Sequence, residues 1–155
     1  MLEYFGSTKA TYSNWMAGWN GGYATHDLSL TGNEYVAYKI RVPAADTYNV
    51  KFEKPETGKG GKFKLYIIPH TDGISAVSDL LPYISDTDTL VIDGIEIGNY
   101  SVTEYTGTFT ADAPGEYYAV WRRVGSSSSN NANYVRIKKL TLTATTATGV
   151  TPIWA

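Results

Sequence analysis

Tyr12, Trp15, Trp19 and Tyr23 fall within twelve residues, interleaved with Asn14, Gly18, Asn20, Gly21 and Gly22. The segment follows no clean strand period. Four large rings in a Gly- and Asn-rich loop are hard to bury together, so some are expected to remain accessible. A flat ring stacks on the apolar C–H face of a pyranose, while Asn and Tyr groups take up its hydroxyls. The same Trp15 and Trp19 serve equally well as a plug for the open end of a sandwich or as a subunit contact. Both readings stay open for that pair.

Other groups offer less. Asp86, Asp88 and Asp93 form an acidic cluster. Two carboxylates suffice for glycoside hydrolysis, but the spacing matches no motif and the segment reads as a solvated turn entering a strand. It also lacks the Gly and Glu positions of a calcium-binding loop. His26 and Asp27 are neighbours on an expected strand and should point to opposite faces. No G-x-S-x-G elbow, phosphate-binding loop or dinucleotide fingerprint occurs. Cysteine is absent and only His26 and His70 represent histidine, which excludes thiolate catalysis, Cys-ligated zinc and a multi-histidine metal site. Trp121-Arg122-Arg123 and Arg136-Ile137-Lys138-Lys139 are the basic clusters. Alternating Arg and Lys on an exposed sheet face keep a β-protein soluble. With a formal net charge of −2, no nucleic-acid partner is expected.

The elements that must position these residues are strands. The chain of 155 residues holds 13 Tyr, 4 Trp, 4 Phe and 15 Gly, with 43% hydrophobic and 18% charged residues, a globular composition rich in strand formers. Tyr35 to Val42 alternates, with Val36, Tyr38, Ile40 and Val42 on one face. Tyr48, Val50 and Phe52 point inward against Asn49, Lys51 and Glu53, and Phe63, Leu65 and Ile67 repeat the pattern. Further strands are predicted near 2–5, 24–30, 89–97, 101–111, 116–124 and 134–143. Turn chemistry separates them at Gly32-Asn33, Pro43 to Asp46, Gly58 to Gly61, Asp93-Gly94 and Ala113-Pro114-Gly115. Val135 and Ile137 have the opposite parity to Leu140 and Leu142, which predicts a bulge near Lys138-Lys139. Ser75 to Leu81 has room for two helical turns before Pro82 stops them. Trp121 alternates with strand neighbours and belongs to the core.

The stretch Gly32-Asn33-Glu34-Tyr35-Val36-Ala37-Tyr38-Lys39-Ile40-Arg41-Val42-Pro43-Ala44-Ala45-Asp46-Thr47-Tyr48-Asn49-Val50 resembles a signature of the galactose-binding-like jelly-roll modules, in particular the carbohydrate-binding modules of families six and thirty-five. Ala113 to Tyr118 and Asn133 to Leu140 resemble the family's last two strand entries, and the resemblance spans roughly residues 20 to 143. It implies that Tyr23 follows a Gly-aromatic step whose ring stacks on sugar. It implies that Tyr100 or Tyr105 is a second stacking aromatic, and that Asn133 supplies hydrogen bonds to hydroxyls. Asp46 replaces the usual Gly. Val135 stands where many members carry an Asp that helps hold a structural calcium, and Leu2-Glu3-Tyr4-Phe5 keeps one acid of an opening pair. No cofactor is therefore expected, and a structural calcium would lack family ligands.

The expectation is an all-β, antiparallel β-sandwich of the jelly-roll, galactose-binding-like type with about 8–10 strands. Residues 1–144 form one domain, and 145–155 form a C-terminal tail that docks on the domain or on a neighbouring subunit. The expected function is non-catalytic binding of a glycan or polysaccharide through Trp15, Trp19, Tyr23, Tyr100 and Asn133, with no catalytic or metal site. The alternative is a structural or assembly protein, a virion decoration, tail-fibre domain or extracellular filament subunit, that uses the same jelly roll for self-association. No run of about 18 apolar residues is present, so no membrane insertion is expected. The opening Met1 to Gly6 has no signal-peptide pattern, yet the composition suits an extracellular or virion-surface protein.

Overall fold

The computed structural model describes residues 2–8, 13–15, 23–28, 34–55, 61–85, 87–98, 100–126 and 134–146, with 13–15, 27 and 126 described by backbone alone. Among these residues the strands are β1 (Glu3–Ser7), β2 (Ser13–Trp15), β3 (Ala24–Asp27), β4 (Tyr35–Val42), β5 (Asp46–Glu53) and β6 (Gly61–Pro69). They continue as β7 (Leu90–Glu96), β8 (Glu104–Ala111), β9 (Gly115–Ser126), β10 (Tyr134–Ile137) and β11 (Lys139–Ala144). Every pairing is antiparallel. One sheet has the order β1-β4-β9-β6-β7, a second β10-β3-β2 and a third β11-β5-β8.

The core explains how the sheets are layered. Val36, Tyr38 and Ile40 of β4, Phe63 and Leu65 of β6 and Trp121 of β9 join one apolar cluster with Val50 and Phe52 of β5, Val135 of β10 and Leu140 and Leu142 of β11. The five-stranded sheet thus faces the two smaller sheets across a single core. This is the expected all-β jelly-roll sandwich. Trp121 is fully buried, with Phe52 at 5.4 Å between ring centroids and Tyr38 edge-on at 5.9 Å.

The bulge predicted from parity is present. Lys138 alone separates β10 from β11, and its N–H donates to the Glu53 carbonyl at 3.0 Å. The extra residue lets Val135, Ile137, Leu140 and Leu142 all face inward, and it carries the chain from one small sheet to the other.

Four local features differ from the sequence reading or explain it. The five-stranded sheet is buried on both faces, not one. Tyr35, Ala37, Tyr66, Ile68 and Val120 pack outward against Ile74, Leu80 and Ile84, so Tyr35 to Tyr38 is a continuous buried run. Pro82 does not stop the helix but sits inside a 3₁₀ helix over Val77–Tyr83. In so short a segment the missing N–H removes a single bond, and Asp79 secures the entry by accepting from the N–H groups of Ser75 (3.0 Å) and Ala76 (2.9 Å). Asp93-Gly94 is not a turn between strands. Gly94, at φ +80°, provides the left-handed residue of a bulge within β7, where Ile92 to Ile95 oppose Leu65 to Phe63. The Pro43 and Pro114 turns are locked alike: Tyr48 donates to the Ala44 carbonyl and Tyr117 to the Ala113 carbonyl, each at 2.7 Å and four residues back.

The two described residues after β11, Thr145 and Thr146, are tied to the start of β5. Thr145 N–H donates to the Thr47 carbonyl at 3.0 Å, and Thr146 donates to the Asp46 carboxylate at 2.5 Å. The Thr146 hydroxyl holds the Asp46 carboxyl below its usual range, helped by the Thr47 N–H. The Asp that departs from the family pattern thus fastens the segment that follows β11. The remainder of the proposed tail, 147–155, lies outside the described residues. Among the described residues, no helix is long and apolar enough to cross a membrane.

Candidate functional site

The β3–β10 pair places Ala24 opposite Ile137, Thr25 opposite Arg136, His26 opposite Val135 and Asp27 opposite Tyr134. Alternation sends Ala24, His26, Val135 and Ile137 into the buried layer and leaves Thr25, Tyr134 and Arg136 partly exposed on the outer face. Tyr23, two residues before Thr25, falls on the diagonal from Arg136, and its side chain hydrogen-bonds the guanidinium. The guanidinium carbon lies 5.0 Å from the centre of the Tyr134 ring, a cation–π contact. Tyr100, on the connection from β7 to β8, also acts electrostatically on Arg136, and it is 61% exposed. Burial pulls the Arg136 pKa down and the tyrosine hydroxyls pull it back. An Arg remains cationic at pH 7 regardless.

Of the residues singled out in the sequence as binding candidates, Tyr23 meets Arg136, named there only as part of a basic cluster, and Tyr100 lies within electrostatic range of it. Tyr23 is 6% exposed and takes part through its hydroxyl. Trp15 is described by its backbone, which pairs with Ala24 in β2. Trp19 and Asn133 lie outside the described residues, as do Tyr12 and Asp86. Tyr105, the other aromatic considered for stacking, is anchored instead. Its hydroxyl donates to the Glu96 carbonyl at 3.0 Å and accepts from the Glu96 N–H at 3.1 Å. Tyr134 and Arg136 were missed because the basic run around them reads as surface charge. The alternation Tyr134, Arg136 against Val135, Ile137 holds the signal.

The arginines of β9 do not form an exposed basic face. Arg123 is buried, and donates to the carbonyls of Leu28 (3.0 Å) and Gly125 (2.6 Å) while lying over the Phe63 ring. Gly61 leaves the room: a Cβ there would come within 2.3 Å of the Arg123 side chain. Arg122 donates to the Ile84 carbonyl at 2.7 Å, on the opposite face of the sheet. These guanidiniums fasten loops, because strand alternation turns one of them into the sandwich.

His26 is a core residue. Its Nε2 lies 2.5 Å from the Tyr38 hydroxyl, and Tyr4 stacks on its ring at 5.6 Å with an interplanar angle of 8°. Burial pushes its pKa down to about 4, so the ring is neutral at pH 7. Its Nδ1 has no hydrogen-bond partner among the described residues. Of the acidic cluster, Asp93 is exposed and lies 3.9 Å from the Lys64 ammonium. Among the described residues, no group of three or more His, Asp or Glu side chains could hold a metal ion.

The described residues line clefts elsewhere on the molecule, of which two are of similar size. One, of about 520 Å³, opens between the edges of β7 and β8, with Ile67, Leu90, Phe109 and Tyr117 inside and Asp88 and Asp112 at its lining. The other, of about 550 Å³, lies on the outer face of β11-β5-β8 and is lined by Asn49, Val50, Lys51, Thr106, Lys139, Thr141 and Thr143. Neither includes Tyr100 or Arg136.

No protein-family profile matches the chain, and no curated protein matches its sequence significantly. Among solved structures, the chain is similar to the C-terminal CBM6 domain of LamC, a marine laminarinase from Zobellia galactanivorans. The identity is 14%, the coverage 88% of this chain and 93% of that one, and the TM-score 0.48. It is also similar to an exo-β-1,3-galactanase from Phanerochaete chrysosporium solved with β-1,3-galactotriose. Here the identity is 10%, the coverage 91% of this chain and the TM-score 0.48, and the chain spans only 27% of the galactanase.

Proposed function

We propose that this chain is a non-catalytic glycan-binding module, with its site on the outer face of the β3–β10 pair. The observation that carries this reading is the meeting of Tyr23 and Tyr134 at Arg136, with the Tyr100 ring, within electrostatic range of the same guanidinium, largely open to solvent. An open ring offers a stacking face for the C–H side of a sugar. Tyrosine hydroxyls and a guanidinium edge offer donors and acceptors for its hydroxyl groups. Trp15 and Trp19, from the aromatic loop, remain candidates for the same site, as does Asn133, which the family resemblance implies. Affinity is expected to be modest, because an open site must offset the ordering and desolvation of the sugar.

The test is a glycan array probed with the purified chain, with its solution mass measured by light scattering in parallel. Binding to a coherent group of glycans by a monomer is expected. Silence across the array from a stable oligomer that a Trp15→Ala/Trp19→Ala variant dissolves would overturn the reading in favour of assembly.

A further inference from the structure

We propose that the cleft on the outer face of β11-β5-β8 binds a phosphate group, free or esterified to a small polar molecule, between Lys51 and Lys139. This is a second site, and it stands apart from the glycan-binding reading.

Strand register assembles the cleft. Thr141 lies opposite Lys51, and Thr143 opposite Asn49, while Thr106 flanks Lys51 on its other side. Lys139 and Lys51 are diagonal neighbours on this face, at a spacing of about 7–8 Å, so two such long side chains can meet one ligand. Both lysines are half-buried, and neither takes part in an ion pair among the described residues. Glu53 and Glu104 share the row of Lys139 but are not part of the lining, which carries two ammonium groups and no carboxylate. Thr141 forms the floor. It is 8% exposed, and its hydroxyl has no hydrogen-bond partner among the described residues. A buried hydroxyl left unpaired costs stability, and a ligand oxygen that accepts from it removes that cost. Thr106, Thr143 and Asn49 supply neutral donors around it.

Charge and size select the ligand. Lysine binds phosphate as a point charge, whereas planar, bidentate pairing with a carboxylate favours arginine. Two cations match a phosphate ester, which carries about −1.5 to −2 charge at pH 7. The cleft, of about 550 Å³, has the volume of a small-molecule site and leaves room for a carrier beside the phosphate. No aromatic ring lines it, so the carrier is polar.

The experiment is calorimetric titration of the full chain with glycerol 1-phosphate, inorganic phosphate and glycerol, at about 50 mM NaCl to limit screening. Glycerol 1-phosphate is expected to bind with a Kd of about 1 mM or tighter, and glycerol not to bind. Equal or tighter binding of inorganic phosphate assigns the free ion as the ligand, and tighter binding of the ester assigns an esterified one. A Lys51→Gln/Lys139→Gln variant, its fold checked by thermal midpoint, should bind at least about tenfold more weakly, since it loses both charge-assisted contacts. If that variant does not fold, Thr141→Val, which removes one donor and no charge, should weaken binding by about threefold or more. Absence of binding by either phosphate at about 10 mM would overturn the proposal. So would binding that the lysine variant, or in its place Thr141→Val, leaves unchanged. Neither result bears on the glycan array.

Discussion

The two small sheets share one core and one kinked strand, yet their outer faces differ. Outside β3 and β10 stand Tyr134, Arg136 and, diagonally, Tyr23, with Tyr100 beside them. Outside β11-β5-β8 stands a grid without a ring: Thr141, Lys51 and Thr106 in one row, and Thr143, Asn49 and Thr108 in the next. Strand pairing spaces such rows about 6.7 Å apart and neighbours within a row about 4.8 Å apart. One face offers the open ring of Tyr100 and the partly exposed ring of Tyr134 near a cation. The other offers short polar side chains, some of which pair with each other, as where Thr47 and Thr110 meet at 3.1 Å. Identical inward patterning thus leaves the outward residues to differ. The aromatic face is the one suited to a sugar ring.

Breaking the shared layer should abolish the distinction altogether. Trp121 is fully buried beneath both sheets, so Trp121→Ala is expected to destabilise the fold by about 3–5 kcal/mol. Chemical denaturation reads this, and loss of both faces together should accompany it.

Acid should act on the aromatic side, because His26 lies beneath it. Its folded pKa of about 4 is below its ordinary 6.5, so the unfolded chain binds the proton more readily. The His26 contribution is complete above pH 6.5, declines as the pH falls from 6.5 towards 4, and levels off below. The full loss corresponds to about 3 kcal/mol. Urea unfolding at pH 7 and pH 4.5 should show a steeper loss for the wild type than for His26→Gln. Parallel curves would contradict the buried neutral ring.

The threonine side has its own tight point. A Cβ on Gly107 of β8 would come within 2.2 Å of the Val91 carbonyl oxygen, where the edges of the two layers close. Gly107→Ala is expected to lower stability by about 1–3 kcal/mol, since backbone must shift. Thermal unfolding of the variant measures it. The smallest effect is expected at Thr141, whose hydroxyl is buried with no partner among the described residues. Thr141→Val removes an unsatisfied polar atom and should be neutral or stabilising by up to about 1 kcal/mol.

The contrast was legible in the sequence only in part. Period-2 alternation located β4, β5 and β6 within a residue of their ends and placed Trp121 and the Lys138 kink correctly. It identified inward residues because burial imposes a pattern. The burial of the outer face of β4 was not visible, since the cover comes from residues 74–84, distant in sequence. Arg123 and Arg136 look alike as letters. Only pairing shows that one is turned into the core and the other outward beside tyrosines from three separate segments. Tyr23 was marked by the local crowding of rings as well as by family resemblance, and Tyr100 by resemblance alone, because no local rule marks a residue that matters by meeting others far along the chain.

The central claim is that the tyrosine–arginine face, and not the threonine face, receives the glycan. It is tested most directly by titrating the best array ligand into wild type, Tyr100→Ala and Thr143→Ala, with thermal midpoints recorded for each. Tyr100 is exposed and Thr143 partly so, and both variants should keep their stability to within about 0.5 kcal/mol. Affinity should fall by about tenfold or more in Tyr100→Ala alone, as expected for loss of a stacked ring. Unchanged affinity in Tyr100→Ala, or a comparable loss in Thr143→Ala, would contradict the account.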